Sequence, residues 1–508
     1  MTPPSTDRPF RRRILVNTAA VGVSNGWAMV VAILSLPLLL RGLGAISFGT
    51  WALLQTFSAV SGWFSLLDFG LGTAATREVA ARRAVDDQRG LAEAVGSTVV
   101  VMFGFGVASG ALLAGIGPMV LPDLFNTPRW LVPQLKVAAV AFSIQVALDL
   151  LTGGFQSALD GYQRVDLSRM VDMVRRTLVA AATSAAALAT HRLSTVAWAS
   201  MTATAVGTLV AAVTLARVSR GLRPRATTAM VRRLMHYGRT VAVLRPLGVL
   251  HRTLDRVVVG AILGPAAVSL VEIAIQLQNG TDALLSATSH SVVPSAAHLE
   301  AQGDRHKLVE LVGTGTRLSL LVTWPLAALT AVLAGPAIQV WIGPSYNNAA
   351  GLAAVAVAAL ALVAPAQVGS NILLGTGRAG AILRVALLAI GINLVGSIVL
   401  VQVVGVVGAF QATFLSAAIT LPLLLRATLR DLGLDAREFF RTAIVPAIPT
   451  PIAAGLAAGA VVLLPLPDWP TLILGGLAGL VAAAAAAMRW GLDAAESQSL
   501  TNRLSWRR

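Results

Sequence analysis

The feature that most constrains this chain is a succession of long apolar runs. Each is near the roughly 20 residues needed to cross a hydrocarbon core as a helix. Fourteen such runs are read, at 14–40, 49–73, 95–117, 136–158, 174–190, 195–215, 240–263, 267–291, 313–334, 349–374, 384–401, 405–425, 442–464 and 470–488. Only 12% of the 508 residues are Asp, Glu, Lys or Arg, and 56% are hydrophobic. An average soluble domain is about 25% charged. A soluble globule this apolar would be unable to cover its own surface, and a disordered chain would be richer in charge. Cysteine is absent, which excludes disulfide scaffolds and thiolate metal sites. The first run is too long for a secretory signal peptide, and no clean small-residue cleavage site precedes the second. The expected fold is an all-α integral membrane protein with about fourteen transmembrane helices.

Charge then orients the chain. There are 39 Lys+Arg against 23 Asp+Glu, a net +16. Such a balance raises nucleic acid as a partner, but the basic residues fall between apolar runs, so none is expected. With the N-terminus inside and the spans alternating, 32 of the 39 basic residues lie in inside segments. Four (Arg41, Arg129, Lys136, Arg192) lie outside, and Arg245, Arg252 and Arg256 lie within the seventh span. This asymmetry predicts both termini on the cytoplasmic side of the membrane. The inside segments 74–94, 216–239, 292–317 and 426–441 read as amphipathic surface helices with arginines toward anionic headgroups. The outside connections near 118–135 and 335–348 are short. They leave no room for the external catalytic domain that a sugar polymerase, ligase or glycosyltransferase uses, so no enzyme activity is expected.

A repeat is visible. LGAISFGTWALLQTF begins at Leu43 and LGPAAVSLVEIAIQL at Leu263. Each opens on Leu-Gly at an outside turn, continues as a span, and ends in an amphipathic segment with Ala, Asp and Leu at similar offsets. Gly44 and Gly264 are 264 − 44 = 220 residues apart, an interval that holds an even number of spans. The copies therefore run in the same direction, as in transporters built from two halves around a substrate. The domains expected are an N-terminal six-helix lobe (1–215), a basic linker (216–239), a second six-helix lobe (240–430), two extra spans (431–490) and a tail (491–508).

Ionisable groups inside spans are costly, and they face a cavity or a partner. In RPLGVLHRTLDRVVVG, Arg252 and Arg256 fall within about 20° of Arg245 around the helix, so the three form one stripe. Two readings stand. The planar guanidinium forks suit a phosphate-bearing substrate. Alternatively they neutralise Asp255, Glu272 and Asp68. His251 and Asp255 share a neighbouring face, and Asp255 is within local pairing reach of Arg252. The eighth span carries Glu272, Gln276, Asn279 and His290 near one face, with Asp282 offset. The first two spans offer Asn25, Gln55, Ser58, Ser65 and Asp68, and Asp149 is a lone carboxylate in the fourth. The candidate substrate ligands are Arg245, Arg252, Arg256, Asn25, Gln55, Gln276 and Asn279. The candidates for ion coupling (Na⁺ or H⁺) or ion pairing are Asp68, Asp255, Glu272, Asp282, His251 and His290. No cofactor is called for. Pro37, Pro246, Pro325, Pro365 and Pro422 interrupt spans and permit kinks.

PLLLRGLGAISFGTWALLQTF (37–57), LLDFGLGTAATREVA (66–80) and LDRVVVGAILGPAAVSLVEIAIQLQ (254–278) give the chain a family resemblance. It resembles the Wzx-type polysaccharide-export flippases, which move lipid-linked O-antigen or other glycan units. The superfamily also holds MATE-like drug/cation antiporters and lipid II flippases. The resemblance implies two six-helix bundles rocking about a central cavity, with Arg245, Arg252 and Arg256 at the family's cationic cavity. It covers most of 10–430 in span order. Arg41 and Asp68 lie within its motif windows, and both also suit structural roles, at an external turn and at an inner helix end. Ser269 departs from the aromatic residue the family often carries after Leu-Gly. The partners implied are an undecaprenyl-pyrophosphate-linked glycan, membrane lipids and other polysaccharide-assembly membrane proteins. A MATE-like antiporter is the alternative.

Overall fold

The computed structural model describes residues 7–60, 62–242 and 245–492. Within these, side chains are described except at 7–16, 18, 239–242, 245–247, 251, 284, 286–291 and 379. The described chain is all-α, as expected. Sixteen α-helices follow one another: α1 Asp7–Gln55, α2 Leu71–Ala84, α3 Gln88–Leu124, α4 Val132–Gly161, α5 Val165–Thr190, α6 Leu193–Val218, α7 Thr228–Ala242 and α8 Arg245–Leu263. Then come α9 Pro265–Ala301, α10 Arg305–Trp341, α11 Ala349–Gly375, α12 Ala379–Val404, α13 Val407–Leu432, α14 Ala436–Phe439, α15 Pro449–Val462 and α16 Asp468–Ala486. A π-turn (Phe440–Ile444) and a 3-10 turn (Val445–Ala447) join α14 to α15.

Ten of the described helical stretches are long and apolar enough to cross a membrane. They correspond to ten of the fourteen runs, the exceptions being the second, fifth, seventh and eighth. These four carry most of the intramembrane polarity. The second is broken. The fifth, as α5, holds Asp166, Arg169, Asp172, Arg175 and Arg176; the seventh, as α8, holds Arg252, Asp255 and Arg256; the eighth, as α9, holds Glu272, Gln276, Asn279 and Asp282.

The chain forms two compact units, up to Ser269 and from Leu270 on. Sequence put the lobe boundary in the 216–239 segment. Here the later part of that segment enters α7, which packs on the first unit, and α8 belongs to the same unit. Met230 and Leu234 of α7 join the core of Leu71, Val79, Leu91, Val95 and Leu159. Around it, the Arg225 N–H donates to the Ala92 carbonyl (3.1 Å), and the Arg77 guanidinium lies 4.5 Å over the Tyr237 ring. The second unit is centred on α10, α11 and α13, with Leu308, Val312, Leu320, Val368, Ile372 and Leu429 buried. The last two spans close on α10 through small residues. A Cβ at Gly479 would lie 2.3 Å from a Leu329 methyl and 2.9 Å from the Ala454 carbonyl. Such close approach is how helices associate without a hydrophobic drive between them.

The two repeat copies share their ends and differ in the middle. Each opens on a glycine with positive φ, Gly44 at 74° and Gly264 at 83°. Each ends in a left-handed residue followed by an aspartate cap. After Asp86 (φ 52°), Asp87 accepts from the Gly90 N–H (2.8 Å); after Gly303 (φ 69°), Asp304 accepts from the Lys307 N–H (3.1 Å). Between those ends α9 is one uninterrupted helix. The first copy leaves helix at Gln55, passes through irregular backbone and a 3-10 turn (Trp63–Asp68), and resumes at Leu71. A single straight second span over 49–73 is therefore corrected to a broken one.

Candidate substrate cavity

The break is satisfied by its own polar groups. The Gly62 N–H donates to the Ser58 carbonyl and hydroxyl (both 3.1 Å), and the Trp63 N–H to the Thr56 carbonyl (2.8 Å). Asp68 accepts from the Gly72 N–H (2.9 Å) and so caps α2, which places this residue in its structural reading as well. Two left-handed residues, Phe69 (φ 44°) and Gly70 (φ 71°), turn the chain into α2. A bulky residue at positive φ is a strained position of the kind that gathers at functional sites. Non-helical backbone at membrane depth is tolerated where it lines a cavity, and here it does.

A cavity of about 770 Å³ lies within the first unit. The broken segment gives it Ala59, Val60, Ser65 and Asp68, and α2 gives Gly72, Thr73 and Thr76. From α4 come Asp149, Thr152, Gly153, Gln156 and Asp160, spaced as one helical face; from α5 come Arg169, Asp172, Arg175 and Arg176; from α8 come Gly248, Val249 and Arg252. A smaller chamber of about 290 Å³ shares Val60, Asp149, Arg175 and Arg176 with it and adds Ser35, Gln55, Ser58 and Gln145.

Four arginines and four aspartates line the main cavity, so it is mixed in charge rather than purely cationic. Most are mutually bound. Arg175 Nη1 donates to Asp149 Oδ1 at 2.6 Å and Nη2 to Asp172 Oδ1 at 3.3 Å; Arg176 Nε donates to Asp172 Oδ2 at 2.7 Å. Arg169 Nη2 reaches Asp160 Oδ2 at 3.4 Å. Side-chain exposure is 10% at Arg175 and 3% at Asp149, so this pair is a buried link between α4 and α5. Removing one partner of such a pair strands a buried charge, at about 3–5 kcal/mol. Arg252 differs: it is exposed to the cavity and, among the described residues, makes no ion pair. Among the described residues its guanidinium is the cavity cation open to an incoming anion.

The other sequence candidates distribute as follows. Gln55 lines the smaller chamber, while Asn25 is exposed on α1. Arg256, Asp255, Glu272, Gln276 and Asp282 are half-buried and do not line the cavity; Asn279 is exposed and donates to Gln276 Oε1 at 3.5 Å. The side chains of Arg245, His251 and His290 lie outside the described residues. Among the described residues, no group of three metal-ligating side chains lies together.

Asp160, Arg169, Asp172, Arg175 and Arg176 are not among the sequence candidates, because the charge pattern over 159–176 reads as an inside loop. The structure corrects this: α5 starts at Val165, and three of the four basic residues assigned to that loop face the cavity. Their spacing was the available signal. Arg169, Asp172 and Arg176 repeat at helical intervals that run on into the apolar part of the span.

The described chain thus combines long apolar helices with a charged cavity beside a broken span. Comparison narrows the class. A family model described as "Polysaccharide biosynthesis protein" matches residues 38–351, more than half of the chain. This protein belongs to that polysaccharide biosynthesis family. Two solved structures share its fold with a TM-score of 0.68. One is an inward-facing multidrug resistance MATE family transporter of the MOP superfamily, at 12% identity over 82% of this chain and 96% of that one. The other is the lipid II flippase MurJ in an inward closed conformation, at 10% identity over 92% and 97%. A Vibrio cholerae MATE transporter is similar at TM-score 0.55 and 15% identity, over 84% of this chain and 99% of that one. No curated protein matches the chain. The family model thus agrees with the expected resemblance to a polysaccharide-export family, and the solved structures share the fold.

Proposed function

We propose that this protein is a flippase. It moves an undecaprenyl-pyrophosphate-linked oligosaccharide or polysaccharide precursor from the inner to the outer leaflet of a bacterial cytoplasmic membrane, with both termini in the cytoplasm. The observation that carries the reading is Arg252, a guanidinium without an ion pair among the described residues, lining a cavity whose other arginines hold aspartates. A pyrophosphate brings the anionic oxygens that such a fork binds. The cavity's 770 Å³ falls within the roughly 300–1,000 Å³ of small-ligand sites. It suits the pyrophosphate and the first sugars, with the polyprenyl chain left in lipid. Ser65, Thr73, Thr76, Thr152 and Gln156 supply neutral donors and acceptors for sugar hydroxyls. Alternating access then exposes this cavity to one side of the membrane and then the other, and a Na⁺ or H⁺ gradient supplies the drive through the cavity aspartates. No bond is made or broken.

The direct test is flipping of a defined lipid-linked oligosaccharide in proteoliposomes by the full-length protein. Arg252→Ala is expected to slow it about tenfold or more, as loss of a charge-assisted hydrogen bond predicts, and Arg252→Lys to keep part of it. Unchanged flipping by Arg252→Ala at equal protein level overturns the assignment. The four cavity aspartates favour one second reading, a drug/cation antiporter. Efflux of cationic dyes without any effect on surface polysaccharide would select it.

A further inference from the structure

A second groove lies on the back of α5. On that helix Leu167, Met170, Val171 and Val174 recur at helical spacing, and they line a cavity of about 690 Å³. On α6 the facing residues are Val210, Thr214, Arg217 and Val218, again one face. At about 100° per residue, this face of α5 lies roughly opposite Arg169, Asp172 and Arg176. The groove is therefore separate from the substrate cavity described above.

Its walls are apolar and one end is strongly basic. Arg83, Arg164 and Arg217 converge there with Tyr162. Arg83 is held in place, since it donates to the Tyr162 carbonyl and lies 5.5 Å over that ring. Arg164 is bound through two nitrogens to Asp166, both at 3.1 Å. Arg217 is exposed, closes the last turn of α6, and makes no ion pair among the described residues. Three arginines against one aspartate leave two positive charges in excess at the mouth of an apolar trough. Met170, at 61% exposure, lies along that trough.

We infer that this groove is a binding site for an anionic bilayer phospholipid, its phosphate on Arg217 and Arg83 and an acyl chain laid between α5 and α6. Charge and shape agree: a phosphodiester needs the excess cations, and its chain needs the apolar walls. Basic pockets between membrane helices bind anionic headgroups in this manner. A zwitterionic lipid matches the trough but not the charge, and a free phosphate matches the charge but not the trough.

The test uses the full-length protein in mild detergent with phosphatidylglycerol or phosphatidylcholine added. Lipid retention is followed by native mass spectrometry, and melting is followed in parallel. Retention of phosphatidylglycerol over phosphatidylcholine is expected. Arg217→Ala should weaken retention about fivefold, the effect of one surface arginine, while leaving the lipid-free melting point unchanged; Arg217→Lys should restore it. Val174→Trp, which fills the trough without altering charge, should also expel the lipid. Three results overturn the inference: equal retention of both lipids, unaltered retention by both Arg217→Ala and Val174→Trp, or displacement of phosphatidylglycerol by equimolar inorganic phosphate. A fourth is its displacement by an equimolar polyprenyl-pyrophosphate, which would make the groove part of the substrate route.

Discussion

The two copies of the repeat end alike and differ between. From Gly44 to Asp87 the chain advances 43 residues, and from Gly264 to Asp304 it advances 40 (87 − 44 and 304 − 264). The first copy thus has three extra residues, and it spends them in a break. At the opening offset of 220, Gly62 of the break corresponds to Asp282 of α9, and at the closing offset of 217 (304 − 87), Gly70 corresponds to Ala287. Gly70 sits at φ 71°, a conformation that side chains with a Cβ adopt at a cost. Without glycine at either place, α9 continues through. Breaking a span is affordable only where something other than lipid receives the freed backbone. In the first copy that is the Ser58 hydroxyl, the Asp68 carboxylate and the cavity itself.

The strongest way to break this comparison is at the wall that the cavity shares with α4 and α5. Arg175→Ala leaves Asp149 buried without its partner and is expected to cost about 3–5 kcal/mol, read from denaturant or thermal unfolding in detergent. The double replacement Arg175→Met with Asp149→Leu should recover most of that loss, because no charge is then stranded. A smaller contrast comes from the glycines. A Cβ at Gly62 would lie 2.3 Å from the Thr56 carbonyl oxygen and 2.5 Å from the Ser58 nitrogen, both backbone. Gly62→Ala should therefore destabilise by about 1–3 kcal/mol. Gly280→Ala, within uninterrupted α9, should stabilise by about 0.5–1 kcal/mol. Opposite signs sharpen the contrast between the copies; like signs remove it.

The shared ends make the reverse prediction, of equal effects. Gly44→Ala and Gly264→Ala should each cost about 1–2 kcal/mol, since both put a Cβ into left-handed backbone, and matching melting shifts would confirm a common turn. The smallest effect is in acid. The Asp87 carboxyl is held below its ordinary 3.8 by the Gly90 N–H and by Arg82, and the Asp304 carboxyl by the Lys307 side chain and N–H. Both lowered carboxyls stabilise the fold fully above pH 3.8, and the contribution is lost as pH falls through their lower folded values. Asp87→Asn and Asp304→Asn should each flatten part of the melting temperature's decline on acidification, by similar amounts.

Much of this was legible in the chain. Ten apolar runs fall on long helices, though three of those helices extend well past the runs (95–117 lies within Gln88–Leu124, 14–40 within Asp7–Gln55 and 313–334 within Arg305–Trp341), because lipid tolerates no other backbone than one that bonds to itself. The Leu-Gly turns at 43–44 and 263–264 marked both left-handed glycines. The later part of the 216–239 segment is helical, as α7, and its packing on α2 and α3 has no signal in the sequence. The site was less legible. An arginine inside an apolar run stands out, so the sequence singles out Arg245, Arg252 and Arg256, of which the structure places Arg252 on the cavity. Arg169, Arg175 and Arg176 were absorbed into a loop, because a run of mixed charge at a span's edge reads as solvated surface until a neighbouring helix is seen to enclose it.

The sequence by itself indicated a multi-span helical membrane protein with a parallel repeat, and three arginines, Arg245, Arg252 and Arg256, inside one apolar run. Those follow from local periodicity and from the cost of charge in hydrocarbon. Only the tertiary structure decided that the second span breaks and that α5 begins two turns early. It also decided that Asp149 closes on Arg175, and that the opposite faces of α5 serve two different cavities. Each of these depends on which side chains from distant segments arrive to satisfy a buried charge or a freed backbone group, and no local pattern specifies that.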